Sequence, residues 1–320
     1  MISMKKLKNL EFNKENLVLI SYDSAKDHFV PNGHPERSDR YFVLKDLFKK
    51  EFNNLKIFNA NRIDIKTLKL VHTKEYINKI FQYSKMKKII NLDPDTWFGE
   101  NSLDAALKGV GSVCLGVDKI LNNFSKRVFC LVRPPGHHAE PNKAMGFCIF
   151  SNVAIAAKYA QKKFDVKKIA VLDFDVHHGN GTQNAFWDDK NLLFVSSHQM
   201  PLFPGTGYKE EIGKGNIFNL PLKEKTNGKE FLSLWKKYLL PEVIKFKPEL
   251  IIISAGFDAH KDDPLGDLKL VEEDYFKLTQ YIIDISEKYC QGRLLSVLEG
   301  GYNLLSLKNS VKTHLKCLMK

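Results

Sequence analysis

An aspartate and a histidine two residues apart, Asp175-Val176-His177, are the most chemically suggestive pair in this chain. On extended backbone, residues i and i+2 point to the same side, so the carboxylate and the imidazole can grip one ion together. Asp258, in Gly256-Phe257-Asp258-Ala259-His260, would supply a third ligand. Two carboxylates and one neutral imidazole balance a divalent cation and leave coordination positions open for water and substrate. Such a donor set suits a catalytic site, because a structural zinc site closes itself with a fourth protein ligand. Zn(II) is the default ion, and oxygen-rich ligation also suits Fe(II), Mn(II) or Co(II).

Other residues complete the chemistry. His137-His138 supplies adjacent imidazoles: one would take a proton from the attacking water, the other would steady the charge that develops. A buried carboxylate such as Asp173 would orient one of them and raise its basicity. Tyr302, preceded by Gly300-Gly301, sits on backbone able to approach closely, and its hydroxyl would donate to a carbonyl oxygen opposite the ion. These groups specify metal-assisted hydrolysis of a carbonyl derivative. Amide is favoured over phosphate, because no glycine-rich phosphate loop or Lys/Arg clamp accompanies them. Each residue alone has a plainer reading as a helix cap, a turn or a hydrogen-bonded core histidine. Their concentration argues otherwise: His34, His137, His138, His177, His178, His198 and His260, seven of the ten histidines, fall in or near these clusters.

Something must bring these segments together. Strand-like runs recur at Leu17–Tyr22, Leu55–Phe58, Arg127–Val132, Lys168–Asp173, Leu192–Ser196, Ile217–Leu220, Leu250–Ala255 and Leu294–Leu298. Between many of them lie stretches of helical period, clearest at Leu103–Leu121, Asn152–Lys163, Phe231–Leu240 and Glu272–Lys288. Pro241 either interrupts the helix carrying Trp235 and Tyr238 or begins a new one. Runs such as Ile251-Ile252-Ile253 are apolar on both faces, as in a parallel sheet covered by helices on both sides. The alternation predicts one α/β domain over residues 1–320 with a large parallel sheet. In such sheets polar sites lie beyond the carboxyl ends of the strands, and the clusters at 133–138, 173–181, 255–260 and 299–303 each follow a predicted strand.

Composition bounds the rest. The chain has 320 residues, 43% hydrophobic and 27% charged, enough for a packed core and too apolar for a disordered protein. The longest apolar runs stop well short of the roughly 18 residues of a membrane span. Lys5, Lys6 and Lys8 are followed by Glu11, Asn13, Lys14 and Glu15, where a secretory signal would place its apolar stretch. The five cysteines form no C-x-x-C pair, so a reduced, cytoplasmic protein is expected, with no membrane partner. The net charge of +12 is spread over small lysine pairs, without a basic arm interleaved with aromatics. It reads as a solubilising surface, and direct nucleic-acid binding is not expected.

Taken in order, these residues resemble the histone deacetylase superfamily of arginase-like metalloamidohydrolases, which includes lysine deacetylases and acetylpolyamine amidohydrolases. The resemblance runs from His34-Pro35-Glu36-Arg37 to Glu299-Gly300-Gly301-Tyr302. It implies a three-layer α/β/α domain around a mostly parallel eight-stranded sheet, the arginase/deacetylase fold. It implies Asp175, His177 and Asp258 as ligands, His138 as general acid/base, and His137 as its electrostatic partner held by Asp173. Asn180 would be the partner of His138, and Tyr302 would polarise the scissile carbonyl. Gly146, Phe147 and Phe203 resemble the walls of an acyl-lysine tunnel with Leu265 at its rim. Arg40 resembles an arginine of an internal product channel. Asp173, Asp175, His177, Ser196 and Ser197 match a structural potassium site, partly through backbone oxygens.

Arginases carry further aspartates for a second metal, at positions where this chain has His260 and Gly179, so a binuclear guanidine hydrolase is disfavoured. The expected activity is deacetylation of acetyl-lysine or of a small acetylated amine. An acetylpolyamine amidohydrolase, a longer-chain deacylase and a non-catalytic acyl-lysine binding protein are the alternatives. Leu265 is neutral where polyamine-selective members place an acidic gatekeeper, and the net charge opposes steering of a polycation. Asp93, Asp95 and Glu100 lie in a segment read as a loop. They would form an acidic patch, bind a substrate's backbone amide or stay solvated, with Trp97 capping the entrance or anchoring the loop. An oligomeric state is left open.

Overall fold

The computed structural model describes residues 15–320. β1 (Glu15–Ser21) leads through a 3-10 turn to α1 (Asp39–Glu51) and β2 (Ile57–Asn59). α2 (Ile65–Leu68), α3 (Lys74–Lys85) and a hairpin of β3 (Ile90–Asp93) and β4 (Thr96–Phe98) precede α4 (Ser102–Leu121) and β5 (Ser125–Cys130). Next come α5 (Asn152–Phe164), β6 (Ile169–Asp173), α6 (Asn180–Phe186), β7 (Leu192–Gln199) and β8 (Ile217–Leu222). α7 (Gly228–Leu234) continues through a π turn, Trp235–Leu239, into α8 (Leu240–Phe246). β9 (Leu250–Ala255), α9 (Glu272–Cys290), β10 (Leu294–Leu298) and α10 (Leu304–Leu318) complete the order.

Eight strands form one parallel sheet in the order β2-β1-β5-β10-β9-β6-β7-β8. Every residue of β6, β7, β9 and β10 is buried, which is what their unbroken apolar runs require. α4 and α5 pack together over β5, β9 and β10, while α1, α9 and α10 form a second group, giving the three layers. All eight expected strands are present in this sheet.

Two local readings change, and the alternative left open at Pro241 is decided. The segment around Asp93 and Asp95 is an antiparallel hairpin, with Asp93 ending β3 and Asp95 in the turn. Its strands are too short for a two-residue period to show. β7 runs on past Ser196 to Gln199, because His198 and Gln199 pair with Pro221 and Leu222 of β8. Pro241 opens α8 after the π turn; a proline in the first helical turn forfeits no internal hydrogen bond. No helix among the described residues is long and apolar enough to cross a membrane. Residues 1–14, which carry Lys5, Lys6 and Lys8, lie outside the described residues.

Candidate active site

The four polar clusters follow β5, β10, β9 and β6, which are neighbours in the sheet although far apart in the chain. Beyond Asp173, the last residue of β6, the backbone presents Asp175 and His177 toward Asp258 from the β9 loop. One ligand atom from each of these residues lies within 4.8 Å of the others. His177 Nδ1 is 3.1 Å from Asp175 Oδ1 and 3.3 Å from Asp258 Oδ2. The remaining carboxylate oxygens are fixed by the chain itself: Gly300 N donates to Asp175 Oδ2 (2.8 Å) and Val176 N to Asp258 Oδ1 (2.9 Å). Apart from its 3.3 Å approach to the His177 ring, Asp258 Oδ2 is buried with no hydrogen-bond partner among the described residues. An orphaned buried carboxylate oxygen facing an imidazole and a second carboxylate fits a divalent cation, which would satisfy all of them. Glycine is required at 256 and 300 for the same reason: a Cβ at either would run into the Asp175 or Asp258 carboxylate.

Burial, then the Asp175 charge, raises the Asp258 carboxyl to about 7. Burial works against the His177 imidazolium, yet Asp175 and Asp258 outweigh it and raise His177 to about 10. Burial likewise opposes the Asp175 carboxylate, but His137 and His177 hold it well below its ordinary range. A bound cation would take over the role of these protons.

The histidine pair lies alongside, with ring centroids 4.0 Å apart. His137 Nδ1 is 3.0 Å from Asp173 Oδ2, and His138 Nδ1 is 2.8 Å from Asn180 Oδ1. The two partners set opposite charges. Burial disfavours both imidazolium forms; for His137 the Asp175 and Asp173 carboxylates overcome it and raise the ring to about 10. For His138 burial, reinforced by the charge on His137, holds the ring neutral well below its ordinary value. The Glu299 carboxylate accepts from Gly136 N (2.7 Å) and His137 N (3.2 Å), pinning the loop that carries the pair.

Tyr302 closes the opposite side of a cleft of about 270 Å³ lined by Asp95, His138, Gly146, Phe147, His177, Leu202, Phe203, Leu265 and Tyr302. Burial pushes the phenol well above its ordinary value, so it stays a neutral donor. Its backbone N donates to Asp263 Oδ2 (2.6 Å), and its ring meets Phe147 edge-on at 5.7 Å. His138, the Tyr302 phenol and, through His177, the candidate ion site thus border one cleft.

The histone deacetylase domain family matches residues 34–318. This chain belongs to the histone deacetylase family. It is 38% identical to a Type-2 histone deacetylase 2 of Dictyostelium discoideum over 96% of this chain, of which it spans 21% of the length. It is also 38% identical to a probable deacetylase of Archaeoglobus fulgidus, covering 89% of this chain and 81% of that protein. The crystal structure of an HDA15 HD domain superposes with a TM-score of 0.90 at 34% identity, covering 95% of this chain and 88% of that one.

In this histone deacetylase family member, the predicted wall residues Gly146, Phe147, Phe203 and Leu265 all line the cleft. Leu202, which the sequence reading passed over, lines it too; it is one ordinary leucine beside a phenylalanine already chosen. Of the rim residues, Asp95 reaches the cleft, and burial, then the neighbouring Asp93, raises its carboxyl above the ordinary value. His34 Nε2 lies 3.1 Å from Asp95 O and ties the hairpin to the site. Trp97 is half-buried in β4 and Glu100 is exposed. Arg40 sits behind the phenol, 5.0 Å from the ring centroid and 1% exposed, with its guanidinium engaged by Gly301 O, Glu299 O and Glu36. Glu36 also pairs with buried Arg133, a charge cluster that spacing alone did not single out. Ser196 pairs in register with Asp173, its Oγ 3.0 Å from His198 Nδ1, and Ser197 Oγ accepts from Trp235 Nε1 (2.9 Å). His260 turns away toward Glu272 and Asp262.

Proposed function

We propose that this chain hydrolyses the amide bond of N-acetylated amines, acetyl-lysine foremost. The observation that carries the reading is the convergence of Asp175, His177, Asp258, His138 and Tyr302 on one slot. Asp175, His177 and Asp258 would hold the cation, Zn(II) by default with Fe(II), Mn(II) or Co(II) as alternatives, and it supplies Lewis acidity and a more acidic water. Neutral His138, with Nδ1 engaged by Asn180, accepts the water's proton on Nε2 and returns it to the leaving amine. His137, kept charged by Asp173, remains beside it as a fixed positive charge. Tyr302 donates to the carbonyl oxygen as negative charge builds there. Phe147 and Phe203 sandwich the substrate's aliphatic chain. A potassium ion held by Asp173, Asp175, His177, Ser196 and Ser197 belongs to this proposal, as do a cytoplasmic setting and one catalytic domain.

The second reading, a small acetylated amine or acetylpolyamine as substrate, is favoured by Asp95, whose carboxylate borders the cleft where a distal ammonium would pass. Metal-loaded protein is expected to deacetylate an acetyl-lysine peptide, acetylputrescine or both. No turnover of either would overturn the assignment, and the ratio of the two separates the readings. Comparison with longer acyl-lysines tests the deacylase alternative. Tyr302→Phe is expected to lower kcat about 10²–10³-fold with metal content unchanged. A variant as fast as the parent would remove the phenol from the mechanism.

A further inference from the structure

The general base is one hydrogen bond away from an acidic residue that the mechanism above does not use. Asn180 Oδ1 faces His138 Nδ1, and the other end of the same amide, Nδ2, donates to Glu140 Oε1 at 2.8 Å. We propose that Glu140 is a positioning residue: it fixes which way round the Asn180 amide sits and thereby keeps the ring proton of His138 on Nδ1. The proposal rests on His138 as the base.

The two ends of a carboxamide have nearly the same shape and opposite hydrogen-bonding character. With Oδ1 toward His138, Nδ1 must carry the proton, and Nε2 offers its lone pair to the cleft. With the amide reversed, the NH₂ group would face Nδ1, the proton would move to Nε2, and the base could no longer accept. A carboxylate only accepts, so Glu140 admits only the productive orientation. The alternative acceptors for Nδ2, His138 O and Met145 Sδ, are both at 3.4 Å and hold it weakly. Glu140 is itself anchored: its N donates to Lys143 O (2.9 Å), and its O lies 3.1 Å from His72 Nδ1. Its side chain borders a separate polar cleft of about 430 Å³ with Asn180, Gln183 and Thr206, so it is not part of the substrate slot.

The same arrangement recurs one turn along α6. Gln183 Oε1 is 3.0 Å from His178 Nε2, and Gln183 Nε2 donates to Glu211 Oε2 at 2.5 Å. Two histidines, each read by an amide whose other end is tied to a glutamate, make amide orientation a feature of this helix.

The test compares wild type, Glu140→Ala and Glu140→Gln, all metal-loaded, by kcat and KM on an acetyl-lysine peptide and by ¹⁵N NMR of the His138 ring. Glu140→Ala is expected to lose about tenfold in kcat, the size of one charged hydrogen bond, with KM and metal stoichiometry held and a new Nε2–H form of His138. Glu140→Gln keeps the volume and an accepting oxygen, so it should fall between the two in rate and in tautomer. It carries the test by itself if the alanine variant does not fold. A His138 ring that stays fully Nδ1–H in the variants, whatever the rate, overturns the proposal, as does an unchanged kcat. If wild type turns over no substrate, the functional reading fails, while a tautomer shift in the variants would still uphold the role of Glu140.

Discussion

The chain carries two histidine doublets, His137-His138 and His177-His178, built to one plan and used differently. In each, one ring sits against carboxylates, His137 against Asp173 (3.0 Å) and His177 against Asp175 (3.1 Å) and Asp258 (3.3 Å). In each, the second ring sits against a side-chain amide of α6 and burial holds it neutral, well below its ordinary value. The difference lies in the ring nitrogens left over. His138 engages Asn180 through Nδ1 and lines the cleft, so Nε2 is free for chemistry. His178 uses both nitrogens, on Thr206 Oγ1 (2.8 Å) and Gln183 Oε1 (3.0 Å). Its job is to tie α6 to the loop carrying Phe203, which Glu211 also braces through Gly207 N and Tyr208 N. Similar local chemistry therefore leaves a ring open to the cleft in one doublet, where the proposed base is needed, and makes a strut in the other, depending on whether the second nitrogen meets a cavity or a partner.

This contrast can be broken experimentally. The largest effect belongs to the cation site: His177→Ala should abolish stoichiometric metal retention and lower kcat/KM by ~10³-fold or more, read by elemental analysis and kinetics. A variant that keeps its metal would take His177 out of the ligand set. Next, His138→Ala should cost about 10²–10⁴-fold in kcat while metal stays bound, as loss of a general base does. His178→Ala should instead leave kcat within about threefold, raise KM through the loosened Phe203 loop, and cost about 1–3 kcal/mol of stability by thermal or urea unfolding. A collapse of kcat with the fold intact would erase the distinction between the doublets.

The smallest effect is a pH dependence on the strut side. His198, whose ring centroid lies 4.7 Å from that of His178, is pushed down to about 4 by burial. Its folded value lies below the unfolded one, near 6.5, so the unfolded chain binds the extra proton between them. Stability is therefore full above roughly pH 6.5 and is lost as pH falls toward 4, with a slope of at most about 1.4 kcal/mol per pH unit from this ring. Urea midpoints measured across that window should flatten in His198→Gln. An unchanged slope would mean that the ring is protonated in the folded protein.

The apolar runs of β6 and β9 were legible because a strand buried on both faces admits little else, and those runs put the polar clusters at strand ends. The hairpin around Asp95 was not legible, since each of its strands holds too few residues to show a period. Leu202 and Glu140 escaped for a different reason. Nothing about a leucine or glutamate in a loop states which cavity or backbone amide it meets.

Local sequence by itself determined the donor types, their two-residue spacing at Asp175 and His177, and the strand–helix alternation, because these depend on backbone periodicity within a few residues. Only the tertiary structure decided that loops separated by more than a hundred residues become neighbours, because the sheet order β5-β10-β9-β6 is set by long crossovers rather than by any local pattern. The same non-local packing brought Asp258 Oδ2 to 3.3 Å from His177, turned the Asn180 amide toward Glu140, and gave one neutral histidine a cavity and the other a second hydrogen bond.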